Sequence, residues 1–92
     1  MYTIKYTTRM RTDIQRVQRR GKDIKKLFAV LEMLKTGDPL PEKYRDHQLK
    51  GDLEDLRECH IENNWLLVYR INEGELVLLA TATGTHADIF GE

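Results

Sequence analysis

The 92-residue sequence predicts an α+β fold, one domain running β-α-α-β-β-β with a mainly antiparallel sheet. Three observations carry that expectation. The chain opens on an alternating stretch rich in β-formers, "YTIKY". Two stretches with apolar residues at helical spacing follow, with little more than Gly21 between them. The second half holds three runs of strand character divided by "ENN" and "NEG", separators of hairpin composition.

Taken in order, residues 2–6 read as a short strand, and Thr7 or Thr8 caps what comes next. Met10, Ile14 and Val17 then recur at helical spacing, and "RVQRR" puts cations at the carbonyl end of the helix, where its dipole favours them. Gly21 ends that helix. A second runs from about Lys22 to Thr36, with Ile24, Leu27, Phe28, Leu31 and Leu34 as its apolar stripe and Gly37 at the left-handed cap position. So short a join predicts an antiparallel helix hairpin. Residues 38–51, "DPLPEKYRDHQLKG", form a connection whose two prolines stop helix propagation. Three strands are expected at 54–61, 65–71 and 75–82. "WLLVYRI" and "ELVLLA" are nearly continuous apolar runs, as central strands covered on both faces require. The helices would cover one face, and the tail the other, anchored by Ile89 and Phe90.

Composition narrows the function classes. Hydrophobic residues make up 40% of the chain, enough for one modest core. The formal charge is zero, but residues 1–35 carry ten Lys or Arg against Asp13, Asp23 and Glu32, a net +7, and the remainder carries −7. That split reads either as a polyanionic partner for the basic half or as a solvated helix face. A lone cysteine, Cys59, leaves no internal disulfide and fits a reducing compartment. The opening "MYTIKYTTRM" lacks the apolar core of a signal peptide, and no run approaches a membrane span, so a cytoplasmic protein with no membrane partner is expected.

Chemistry has to come from the histidines. No phosphate-binding glycine loop, nucleophile elbow or metal motif is present. Cys59 and His60 are adjacent, and neighbours in a strand point to opposite faces, so they are not expected to share a metal. Cys59 is expected in the core against the helices. Three scattered histidines lack the short ligand pairs of structural zinc, so no metal and no cofactor is expected. Metal-free acid–base chemistry by His47, His60 and His86 remains. Imidazole, with a reference pKa near ~6.5, gives or takes a proton at neutral pH. Two such rings flanking a phosphodiester suffice to cut RNA: one deprotonates the ribose 2′-OH, which attacks phosphorus, and the other protonates the leaving 5′-oxygen. Each transfer is worth roughly 10²–10⁴ in rate, and a cation must answer the charge that builds on the phosphate. Gly84 would let the backbone turn so that His86 acts beside the last strand.

Three segments in this order, "YRDHQLKG" (44–51), "LRECHIENNWLLVYRI" (56–71) and "TGTHADIFG" (83–91), closely resemble the YafQ branch of the RelE/ParE toxin superfamily. The resemblance is strong over residues 38–91 and extends to the whole chain by element order and by the basic helix hairpin. It implies a RelE-like fold and a ribosome-dependent mRNA endonuclease, the toxin of a type II toxin–antitoxin pair. Such toxins cut mRNA in the ribosomal A site without a metal. A cognate antitoxin neutralises them, and operator DNA is bound only by the toxin–antitoxin complex. By the same resemblance the family's loop, strand and tail histidines fall on His47, His60 and His86, its tryptophan on Trp65 and its near-terminal phenylalanine on Phe90. Trp65 reads equally as a core aromatic and as a base-stacking residue; Phe90 pins the tail, touches RNA, or does both.

Two departures stand out. Where the family usually has Pro-Asp before the tryptophan, this chain has Asn63-Asn64. Asn64 can hydrogen-bond an imidazole or a base, but it cannot balance an imidazolium or transfer a proton. Where the family commonly has an arginine two residues before the tail glycine, this chain has Ala82. The loss of a cation facing the phosphate would cost roughly 3–4 kcal/mol of transition-state stabilisation. Either Lys50 or Arg57 supplies the charge, or Ala82 weakens the enzyme. The competing class is a toxin that acts by binding alone, as ParE-type relatives do on a topoisomerase.

Overall fold

The computed structural model describes residues 1–91. Strand β1 (Thr3–Tyr6) leads into helices α1 (Thr8–Arg19) and α2 (Ile24–Lys35). Thr7 is the cap of α1: its hydroxyl accepts from the Met10 amide, satisfying one of the first-turn donors that have no partner within the helix. Asp23 does the same for α2 through the Lys25 amide. Met10 and Val17 of α1 are buried, as the spacing predicts, and Asp13 is buried with them. The α2 stripe differs from the expected one. Leu27, Val30, Leu31 and Leu34 are buried, whereas Phe28 is 42% exposed. Both sets satisfy a helical period, and packing against the sheet selects the face that carries Val30.

After α2 the chain makes a 3-10 turn at Glu42–Tyr44 and then an unexpected strand, β2 (His47–Gln48), inside the segment read as a connection. A second 3-10 turn at Gly51–Leu53 delays β3 to Arg57–Glu62, three residues later than predicted. β4 (Trp65–Asn72) and β5 (Val77–Gly84) follow, the latter starting and ending two residues late, and α3 (His86–Phe90) closes the described chain. The sheet has five strands in the order β1-β5-β4-β3-β2. Only the β1–β5 pair is parallel, and it sets the last strand beside the first, bringing α3 next to α1.

The core lies between the helices and one face of the sheet. Met10, Val17, Leu27, Leu31 and Leu34 meet Cys59, Ile61, Trp65, Leu67, Tyr69, Leu78 and Ala80. Cys59 is fully buried there, and burial pushes its thiol up to about 12, which leaves it unreactive. Leu66, Val68 and Ala82, also buried, belong to the opposite face. A bulge decides this for Ala82. Val68 pairs with Ala82 while the next residue, Tyr69, pairs with Ala80, leaving Thr81 as the extra residue. Without it, Ala82 would face the helices with Leu78 and Ala80.

Candidate active site

The face away from the helices carries the histidines. In the β2–β3 ladder His47 stands opposite Glu58, and Glu58 stands opposite Val68, which stands opposite Ala82. Two residues along β3, His60 shares the same face and pairs with Leu66, which pairs with Gly84. Glu58 is only 3% exposed. Its Oε1 lies 3.8 Å from His47 Nε2 and 3.7 Å from His60 Nε2, so one buried carboxylate sits between two imidazoles. The residue went unnoticed in the sequence. Its signal is strand parity, since position 58 shares a face with His60 and the apolar runs on either side predict a covered sheet.

Arg45 links the same two rings. It caps the first 3-10 turn with φ 49° and ψ 44°, in the left-handed region. From there its carbonyl lies 2.8 Å from His47 Nδ1, and its guanidinium lies 3.0 Å from His60 Nδ1 and donates to Asn63 Oδ1 at 3.0 Å.

His86 arrives by a different route. Thr85 caps α3, its hydroxyl accepting from the Asp88 amide while the Asp88 carboxylate accepts from the Thr85 amide. Gly84 has φ +144°, and a Cβ there would lie 2.7 Å from the Asp88 carboxylate, so this reciprocal cap requires glycine. Arg20, the C-cap residue of α1, donates two hydrogen bonds to Asp88, and Arg9 of α1 reaches the carbonyls of Asp88 and Ile89. The Arg20 guanidinium holds the Asp88 carboxyl well below the usual carboxylate range. The strand end beneath is tied as well: buried Asp13 accepts from the Thr83 amide, and Trp65 Nε1 donates to the Thr83 hydroxyl at 2.8 Å. The tail is therefore docked by arginines of α1 in addition to the apolar anchor expected of Ile89 and Phe90, both of which are half-buried.

A cleft of about 340 Å³ opens between these parts, lined by His47, Leu49, Glu58, His86 and Phe90. The His86 and Phe90 rings pack with centroids 5.0 Å apart. His60 lines a separate cavity of about 550 Å³ with Lys26, Lys43, Tyr44, Arg45 and Asn63. The three histidines thus share one side of the sheet, with Glu58 between His47 and His60.

Four other candidates stand elsewhere. Arg57 projects to the helix side, where it binds Asp46 at 3.1 Å beside the Tyr69 hydroxyl, which also donates to Asp46. The parity that brings Glu58 and His60 into the site takes Arg57 out of it. Trp65 is 1% exposed in the helix-side core with its N–H bonded to Thr83, which leaves no ring face for a base. Asn64 is exposed and lines a small pocket with Arg20, Trp65 and Thr85, and it is Asn63 that contacts the Arg45–His60 pair. Lys50 is exposed at the start of the second 3-10 turn and lines neither cavity that holds the histidines. The basic half is partly spent on internal pairing: Arg16 binds Asp13, Arg20 binds Asp88, and Lys22 and Lys26 both bind Glu62. Among the described residues no group of three or more His, Cys, Asp or Glu could hold a metal ion, and no helix is long and apolar enough to cross a membrane.

The family model described as the bacterial toxin of type II toxin–antitoxin system, YafQ, matches residues 2–91. The mRNA interferase toxin YafQ of Escherichia coli K12 is 36% identical over 89 residues, spanning 96% of this chain and 95% of that protein. The E. coli toxin in its DinJ–YafQ complex superposes with a TM-score of 0.88 at 33% identity, over 99% of this chain and 100% of that one. A metal-bound toxin from Helicobacter pylori gives 0.92 at 40% identity, over 98% and 100%. In sequence and in fold, the chain belongs to the YafQ family of bacterial toxins from type II toxin–antitoxin systems.

Proposed function

We propose that this toxin is a ribosome-dependent mRNA endonuclease that cuts by histidine acid–base catalysis without a metal or other cofactor. The observation that carries the reading is the cleft lined by His47, His86, Phe90 and buried Glu58. The name of the E. coli relative, an mRNA interferase, supports the same substrate. One imidazole takes the proton of a ribose 2′-OH. The 2′-oxygen bonds to the adjacent phosphorus, the bond to the 5′-oxygen breaks, and a second imidazole, protonated at the start, gives its proton to that oxygen. The products are a 2′,3′-cyclic phosphate and a free 5′-hydroxyl, with no external reactant consumed. Phe90 offers an aromatic face to a neighbouring base. The place of action is the A site of cytoplasmic ribosomes. A cognate antitoxin is the controlling partner, as DinJ is the partner of the E. coli toxin in their complex, and operator DNA is contacted only through that assembly.

A second reading, inhibition by binding alone, is favoured by Ala82. It occupies the row His47–Glu58–Val68–Ala82 where a cation would face the phosphate, and Arg57 lies on the other side of the sheet. Translation of a reporter message on purified ribosomes, followed by primer extension, separates the two. Message cut at codons supports the nuclease, and stalled translation with intact message supports binding alone.

A further inference from the structure

We propose that Asp46 is a positioning residue: on the helix side of the sheet its carboxylate is clamped by Tyr69 and Arg57, and this clamp holds the edge strand β2 so that His47 stands in the cleft on the other side. The effect on cleavage rests on the nuclease reading; the clamp itself does not.

Successive residues of an extended chain point to opposite faces, so fixing one side chain fixes the backbone that carries the next. The segment Arg45–His47 alternates in this way. Arg45 reaches His60 and Asn63 on the histidine face, Asp46 turns to the helix side, and His47 returns to stand near Glu58. On the helix side Arg57 donates to one oxygen of the Asp46 carboxylate at 3.1 Å, and the Tyr69 hydroxyl donates to the other. Arg57 Nε lies 3.4 Å from the Tyr69 oxygen and closes the cluster. Arg57 belongs to β3 and Tyr69, its ladder partner, to β4. A single carboxylate immediately ahead of β2 therefore reaches two strands inward, whereas the backbone of β2 pairs with β3 alone.

The strand needs such an anchor. β2 has two residues, both exposed, and beyond them only the Leu49 amide continues the ladder, donating to the Leu56 carbonyl at 2.9 Å. So short a strand does not hold itself. The His47 ring adds little, because it is half exposed and its 2.8 Å contact is to the Arg45 carbonyl, which travels with the same segment. The Asp46 cluster is better placed. Tyr69 is buried and Asp46 largely so, and hydrogen bonds to an ionised group are roughly twice as strong as those between neutral ones. Burial, followed by the Asp46 carboxylate, pushes the Tyr69 hydroxyl above its ordinary value, so it remains a donor. The same cluster gives Arg57 a task, although strand parity keeps it out of the cleft.

Amide exchange of the free toxin tests the clamp. Asp46→Ala removes both hydrogen bonds, and Tyr69→Phe removes one while keeping the ring. Expected in Asp46→Ala is a loss of roughly tenfold to a hundredfold in the protection of the Leu49 amide, the range that hydrogen bonds to a charged group contribute, while the ladder between β4 and β5 keeps its protection. Tyr69→Phe should give a smaller loss at the same amide. The NMR signals of the His47 ring should move toward those of a histidine in an unstructured chain, and those of His86, on a helix tied down by Arg9 and Arg20, should stay. Single-turnover cleavage at saturating toxin should fall, by no more than the factor lost at Leu49, because only molecules with β2 paired present His47. Leu49 protection indifferent to Asp46→Ala overturns the inference. So does a loss that spreads equally through β4 and β5, which would make the cluster a support of the whole fold. So does unchanged cleavage in a variant whose His47 signals have moved. If the unmodified toxin cuts no message, the nuclease reading fails, and exchange at Leu49 still decides whether Asp46 holds the strand.

Discussion

Replacing Glu58 with Gln tests the centre of the proposed site, because it keeps the shape and removes only the charge. When His47 or His60 carries a proton, the ring nitrogen and the Glu58 oxygen are 3.8 and 3.7 Å apart. At about 4 Å an ion pair is worth roughly 4 kcal/mol where the effective dielectric constant is about 20, and roughly 1 kcal/mol in water. The Glu58 side chain is 4% exposed and that of His47 50%, so the pair straddles the two regimes. The imidazolium formed by proton uptake therefore loses about 1–4 kcal/mol, which slows single-turnover cleavage by roughly fivefold to a thousandfold. Stability should move the other way or not at all, since removing a buried charge relieves its desolvation. The assay pairs single-turnover cleavage of ribosome-bound message with chemical denaturation of the free toxin. An unchanged rate would refute the role given to Glu58, and a denaturation midpoint that falls in step with the rate would make the residue structural only.

Ala82→Arg should raise single-turnover cleavage by adding a cation on the row that holds His47 and Glu58, while costing about 1–3 kcal/mol of stability because position 82 is only 1% exposed; a rate that stays flat in a variant that still folds means the cleft already has its cation. Trp65→Phe should cost about 1–2 kcal/mol through the lost bond to Thr83, measured by denaturant midpoint, with cleavage per folded molecule retained because the indole is buried. Arg20→Ala should release α3, seen as faster hydrogen exchange at residues 86–91, and lower cleavage through His86 with little change in global stability. The Asp88 carboxyl is depressed in the folded state, so its contribution is complete above its unfolded value near ~3.9 and is lost only as pH falls below that; the protection of the α3 amides, relative to the unstructured-chain exchange rate at each pH, should therefore be unchanged between pH 7 and pH 5.

Much of this molecule was legible because the signals are local. The cap at Thr7, the Met10–Val17 stripe, the helix ends before Gly21 and Gly37, and the position of β4 all depend on residues within a few places of one another, where propensity and periodicity act. Strand parity alone put Cys59 in the core and His60 on the other face, and the structure agrees. The tertiary structure decided what depends on register between distant segments. The strand His47–Gln48 is too short to be stable alone and exists because β3 offers it an edge. The choice of Val30 over Phe28 was made by the sheet against which α2 packs. The bulge at Thr81, which turns Ala82 toward the histidines, follows from pairing β5 with β4 and leaves no periodic trace in either strand. The site itself is of this second kind. Glu58 gains meaning only when β2 brings His47 beside it, and Arg45 only when a left-handed turn sets its carbonyl on one ring and its guanidinium on the other, because hydrogen-bond partners are fixed by three-dimensional closure and not by spacing along the chain.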